Sequence, residues 1–149
     1  MAIGVELLGE PWPVLASPCP ILMFDAKVPA GFPSPAADFS EGRIDLTEVL
    51  VPHPSASFTL RISGNSLTRA GILDGALVIV DRSLTARHDD IVVAVLDGEL
   101  TAKRLIVRKD RVWLAPDSDD PQYRAIEVTG RPDFSVWGVI TSTINFLRR

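Results

Sequence analysis

Residues 91–107 read Ile-Val-Val-Ala-Val-Leu-Asp-Gly-Glu-Leu-Thr-Ala-Lys-Arg-Leu-Ile-Val. Ile91 to Leu96 is an unbroken apolar run of strand length. Asp97-Gly98 is a dipeptide favoured in two-residue hairpins, where both positions must tolerate a positive φ. Glu99 to Val107 is the returning strand, so the centre of the chain predicts a β-rich body. Outward from it, Ala76 to Val80 is a second apolar run. Phe58, Leu60 and Ile62 alternate with Thr59, Arg61 and Ser63 at the period of a strand. Further strands are expected at Val112–Ala115, Ala125–Thr129 and Phe134–Thr143. The one helix expected is short, from about Asp45 to Val51, with Asp45 as its cap and Glu48 completing a capping-box pattern. After residue 52 there is no long helical pattern, and the chain has no internal repeat.

Proline usage separates the N-terminal region from this body. Seven of the 12 prolines (Pro11, Pro13, Pro18, Pro20, Pro29, Pro33 and Pro35) fall in the first 35 residues. Each removes a backbone donor and pushes its predecessor toward extended geometry, which predicts an arm rather than a helix. Trp12, Ile21, Leu22, Met23 and Phe24 make that arm too apolar for a solvated linker, so it is expected to dock.

The chain has 149 residues, 46% apolar and 23% charged, with a net charge of -4 from 15 basic and 19 acidic residues. This is the composition of one globular domain. Its mild acidity disfavours general phosphate-backbone binding, and the terminal Arg148 and Arg149 read as solvated. Cys19 is the only cysteine, so no intramolecular disulfide forms and a reducing compartment is the simpler expectation. The first 24 residues lack early positive charge and an unbroken apolar run, and prolines interrupt them. A cytoplasmic protein with no membrane contact is expected.

Chemistry concentrates in Ser63-Gly64-Asn65-Ser66-Leu67, where the Phe58–Ile62 strand ends. Gly64 permits a tight turn, after which a serine can project its hydroxyl beside free backbone N–H groups. These residue types also make a plain polar turn, and the pentapeptide alone favours that reading. Lysine usage adds weight to the chemical one. Lys27, Lys103 and Lys109 are the only lysines, against 12 arginines, so arginine supplies most of the surface charge. Lys103 sits mid-strand on a face shared with Thr101, Leu105 and Val107. An amine among apolar neighbours loses its proton more easily and can serve as the base for a serine. A lysine guarding a sheet edge fits the same position, and both readings stay open. His53 and His88 read as solvated loop residues. Asp74, Asp81, Asp89 and Asp90 match no metal-ligand spacing and read as turn and strand-end residues. Neither a metal nor a cofactor is expected.

Several further segments carry a resemblance. Ala30-Gly31-Phe32-Pro33-Ser34-Pro35-Ala36-Ala37-Asp38, Arg43-Ile44-Asp45-Leu46 and His53-Pro54-Ser55-Ala56 resemble the UmuD and LexA self-cleaving serine proteases, of S24 type. So do Ser63-Gly64-Asn65-Ser66, Gly71-Ile72-Leu73-Asp74-Gly75, Ile79-Val80-Asp81 and Asp97 through Lys103. The similarity runs from about residue 30 to the C-terminus with the motifs in order.

The resemblance implies a mainly β, compact LexA-like C-terminal protease fold of twisted antiparallel strands, with an extended N-terminal arm and one short helix. Ser66 falls on the family's nucleophile and Lys103, 37 residues later, on its general base. Ala30-Gly31 falls on the scissile bond, making residues 1–30 the arm removed and 31–149 the protease and dimerisation domain. Asn65 and Leu67 depart from the family's more usual aspartate and methionine, at positions that transfer no proton. The implied partners are a second copy of the chain, a RecA–single-stranded DNA filament that stimulates cleavage, and a UmuC-like Y-family DNA polymerase. The implied setting is translesion synthesis in the bacterial SOS response.

A LexA or phage-type repressor is the nearest alternative. The 30 residues before Gly31 are too few and too proline-rich for a helix-turn-helix, so sequence-specific DNA binding is not expected. A type I signal peptidase is disfavoured for want of a membrane anchor. A non-catalytic polymerase-binding module and a generic β-barrel binding domain complete the alternatives.

Overall fold

The computed structural model describes residues 5–6, 12–13, 20–24, 30–31 and 41–148. Cys19, Lys27, Arg149 and five of the N-terminal prolines (Pro11, Pro18, Pro29, Pro33 and Pro35) lie outside the described residues. The chain divides into two units, one comprising residues 15–52 and the other residues 1–14 with 53–149.

The strands begin with β1 (Val5–Glu6) and β2 (Trp12–Pro13). In the smaller unit, β3 (Pro20–Phe24) pairs antiparallel with β4 (Glu41–Asp45), which runs into α1 (Leu46–Leu50). Asp45 caps α1 as expected, its carboxylate accepting from Thr47 N at 2.8 Å.

The larger unit adds β5 (Ser57–Ile62), β6 (Leu77–Asp81), β7 (Ile91–Leu96) and β8 (Glu99–Arg108). Then come β9 (Arg111–Ala115), β10 (Ile126–Glu127) and β11 (Phe134–Ile144). Together with β1 and β2 they form one nine-stranded sheet in the order β1-β5-β6-β11-β7-β8-β9-β10, with β2 also on β5. Every pairing is antiparallel. The expected fold class, mainly antiparallel β with one short helix, is the one observed.

Asp97 (φ 52°) and Gly98 (φ 76°) turn the β7–β8 hairpin as their chemistry predicts. The β8–β9 hairpin instead turns at Lys109 (φ 57°), a position no local signal marked. The strand expected at Ala125–Thr129 shrinks to two residues, because the Thr129 hydroxyl takes the place of a ladder bond at Val112 N (2.9 Å).

The continuous apolar character of β7 has a packing cause. Val92 and Ala94 belong to one core cluster, with Leu105 and Leu114, while Val93 belongs to another, with Leu60, Leu67 and Val78. Both faces of the strand are covered, so neither can be polar. The order also sets a geometric problem. Four strand steps separate β5 from β8, about 19 Å in a flat sheet at roughly 4.8 Å per step. The sheet curls instead, and β1, on the outer edge of β5, lies against β8.

Strand β11 changes register at Val136/Gly138 against β7 and at Ile140/Ser142 against β6, bending as it crosses the sheet. A side chain at Gly138 would place its Cβ 2.5 Å from Val80 Cγ1. Gly138→Ala should therefore overpack the bend and cost about 1–3 kcal/mol, read as a lower urea midpoint at unchanged slope.

Candidate active site

The turn after β5 is held by groups distant in sequence. Gly64 adopts φ 94°, open to glycine at little cost, and its N–H donates to Asp74 Oδ1 at 2.7 Å. Asn65 N–H donates to the Tyr123 hydroxyl at 3.4 Å. The Ser66 carbonyl accepts from Asp117 N at 2.7 Å. Leu67 is only 1% exposed, and its carbonyl accepts from Ala70 N and Ile72 N at 3.0 and 3.2 Å. The serine thus stands between a glycine turn and a residue anchored in the core, and is itself buried.

Lys103 lies in the middle of β8, opposite Val92 of β7 and among buried residues Thr101 and Leu105. Because β8 runs between β7 and β9, the sheet-edge explanation of this lysine does not apply. Its side chain is buried at 4% exposure, and Nζ lies 3.3 Å from Ser66 Oγ. Nζ also donates to Thr101 Oγ1 at 2.9 Å and to the Ala102 carbonyl at 3.1 Å. Burial lowers its pKa from 10.5 to about 8, because water no longer solvates the cation. In its neutral form the amine has a lone pair that can accept the serine proton across this distance.

Ala30 and Gly31 are both exposed, at a bend between β3 and β4 in the smaller unit. The histidines depart from expectation. His53 is half-exposed, yet its Nδ1 lies 2.6 Å from Oδ2 of the buried Asp81, which also accepts from Ser83. Burial pushes the Asp81 carboxyl up, but the Ser83 and His53 hydrogen bonds outweigh it and hold its pKa below the usual value. His88 accepts from Val107 N at 3.0 Å, so it too is engaged in structure. Among the described residues no helix is long and apolar enough to cross a membrane.

Thr101, which strand alternation places on the lysine's face, is the hydroxyl that accepts from it. Asp74, Asp117 and Tyr123 carry no local signal, because only the folded chain brings them to the Ser66 turn.

Lys103 makes a sharp prediction about stability. Its folded pKa lies below its unfolded one, so the unfolded chain binds more protons between about pH 8 and 10.5. Unfolding free energy should therefore gain a contribution that grows across that window and is lost as pH falls through it. Urea titrations of wild type and Lys103→Met should diverge in slope there, with only wild type showing the lysine's contribution.

A Peptidase S24-like family model matches residues 20–141. The chain is 41% identical over 126 residues to Protein ImpA of Escherichia coli, covering 85% of this chain and 84% of ImpA. It is 40% identical over 121 residues to Protein MucA of Escherichia coli, covering 79% and 80%. With the LexA repressor of Xylella fastidiosa it shares 39% over 113 residues, 76% of this chain and 52% of the repressor.

Proposed function

Given that this chain belongs to the Peptidase S24-like family, whose activity is of the serine-peptidase kind, we propose that it cleaves itself between Ala30 and Gly31 with Ser66 and Lys103. The observation that carries the reading is the buried Lys103 amine 3.3 Å from the Ser66 hydroxyl, with a pKa brought down to about 8.

The chemistry runs in two halves. Neutral Lys103 takes the Ser66 proton as Oγ attacks the Ala30 carbonyl carbon, forming a tetrahedral oxyanion. Collapse breaks the Ala30–Gly31 bond, and Lys103 delivers the proton to the departing Gly31 amine. The product is an ester between Ser66 and Ala30. Water, deprotonated by the same amine, attacks this ester, freeing residues 1–30 and restoring Ser66. The small residues flanking the bond let the main chain approach a buried hydroxyl closely. Carrying substrate and nucleophile on one chain, or on a pair of identical chains, replaces substrate affinity with high local concentration.

The burial that lowers the lysine's pKa also restricts access to the serine, which suits a slow reaction under external control. A RecA–single-stranded DNA filament would accelerate it by binding the cleavage-competent state better than the alternative. Residues 31–149, as a cytoplasmic homodimer, would then serve a UmuC-like Y-family polymerase in translesion synthesis during the SOS response. The relation to ImpA and MucA over most of their length supports this assignment.

The test is intact-mass spectrometry of the purified chain, incubated with and without RecA filament across neutral and alkaline pH. Wild type should release a fragment beginning at Gly31, with a filament-free rate that climbs through a transition near the Lys103 pKa of about 8 and then levels. Ser66→Ala and Lys103→Ala should yield none. An intact wild-type chain under every condition would leave a non-catalytic binding module as the better reading.

A further inference from the structure

We propose that Arg104 and Asp117 act as a positioning pair that sets the distance between the Ser66 hydroxyl and the Lys103 amine, an inference resting on the catalytic reading of those two residues. Asp117 follows the end of β9 by two residues and grips the nucleophile segment twice through its main chain. Its N–H donates to the Ser66 carbonyl at 2.7 Å, and its own carbonyl accepts from Arg69 N at 2.9 Å. The bond on the Ser66 carbonyl constrains that residue's ψ, and so the direction in which its side chain leaves the turn.

Asp117 is in turn held by its side chain. Oδ2 accepts from Arg104 Nη2 at 2.7 Å, with the two side chains 28% and 25% exposed for Arg104 and Asp117. The other end of the guanidinium, Nη1, donates to the Asp89 carbonyl at 2.7 Å. Arg104 directly follows Lys103 on β8, so the two side chains leave opposite faces of the strand. One strand therefore carries the amine on one face and, on the other, the clamp that holds the serine's turn. Because the sheet order puts β5 and β8 four steps apart, pairing between neighbouring strands does not by itself fix their ends against each other. The Arg104–Asp117 bridge ties β8 to the residue whose main chain holds the Ser66 carbonyl, so the link from β8 to the turn after β5 runs through Asp117.

Arg111–Glu127 joins β9 to β10 and Arg131–Asp133 stays within one turn, so neither reaches the Ser66 segment. Arg69–Asp119, 3.4 Å apart, spans the same two segments as Ser66 and Asp117, but its side chains are 63% and 88% exposed and it holds them weakly. A partly exposed ion pair contributes little to stability, whereas a small displacement between reacting groups can cost up to about a hundredfold in rate. The pair should accordingly matter far more to rate than to melting temperature.

A fluorophosphonate, a general reagent for activated serine hydroxyls, tests this without requiring the scissile segment to dock. Labelling of Ser66 in the full chain is followed by intact mass across the Lys103 transition, for wild type, Arg104→Ala, Asp117→Ala and Arg104→Lys. Both alanine variants should lose roughly tenfold or more from the high-pH plateau while melting within a few degrees of wild type. Arg104→Lys, which keeps a cation for Asp117, should recover much of the loss.

Equal plateaus in wild type and both alanine variants would overturn the proposal. So would midpoints moving in opposite directions with plateaus unchanged, since that is the mark of a charge effect. A rate loss matched by a large fall in melting temperature and unrelieved by Arg104→Lys would overturn it too. Failure of wild type itself to label above a Ser66→Ala control would instead sink the catalytic reading beneath it.

Discussion

A lysine only 4% exposed must either surrender its proton or find partners, and Lys103 does some of each. Thr101 and the Ala102 carbonyl receive its N–H bonds, while burial brings its pKa to about 8. Much of the surrounding architecture serves that balance. A fully solvated amine would stay protonated at neutral pH and make a poor base. One buried among apolar groups alone would have no acceptor to hold its orientation. The hydroxyl and carbonyl beside it aim Nζ at Ser66 and still leave it titratable near neutrality.

Burial of this kind requires a sheet with two covered faces. Strand β7, apolar on both, supplies Val92 and Ala94 to one core and Val93 to the other, and Lys103 pairs with Val92. The curl that brings β1 against β8 also brings the end of β5 toward the middle of β8. Bulges in β11, the middle of the three strands between β5 and β8, let the sheet bend between them, with Gly138 packed too tightly for a side chain. Lys103 is thus displayed by an interior strand, and Ser66 by the turn that follows another.

Around Ser66 the fold spends several long-range polar contacts on a few residues of turn. Asp74, Tyr123 and Asp117 reach Gly64, Asn65 and Ser66 in succession. The buried carboxylate of Asp81 holds His53, where the chain re-enters the larger unit. Reading His53 as solvated was half right: about half its side chain is exposed, yet Nδ1 pairs with the buried Asp81, a partner that only the folded chain supplies.

Strand positions were legible because apolar runs, period-two alternation and Asp97-Gly98 are local signals, each readable within a few residues. The same was true of the α1 cap at Asp45. Ser66 and Lys103 stood out as candidates through turn chemistry and the scarcity of lysine, and the family followed from motifs kept in order. The turn residue Lys109 and the shortened β10 escaped, since no glycine marks the left-handed φ at Lys109 and the Thr129 hydroxyl replaces a ladder bond at Val112 N. What the amino-acid order determined by itself was the strands from β5 onward, the family and the two candidate side chains; β1 to β4 were not among the strands it marked. That the hydroxyl and the amine meet at 3.3 Å, and that the amine is buried, was decided by tertiary structure alone, because 37 residues and four strand steps separate them until the sheet closes.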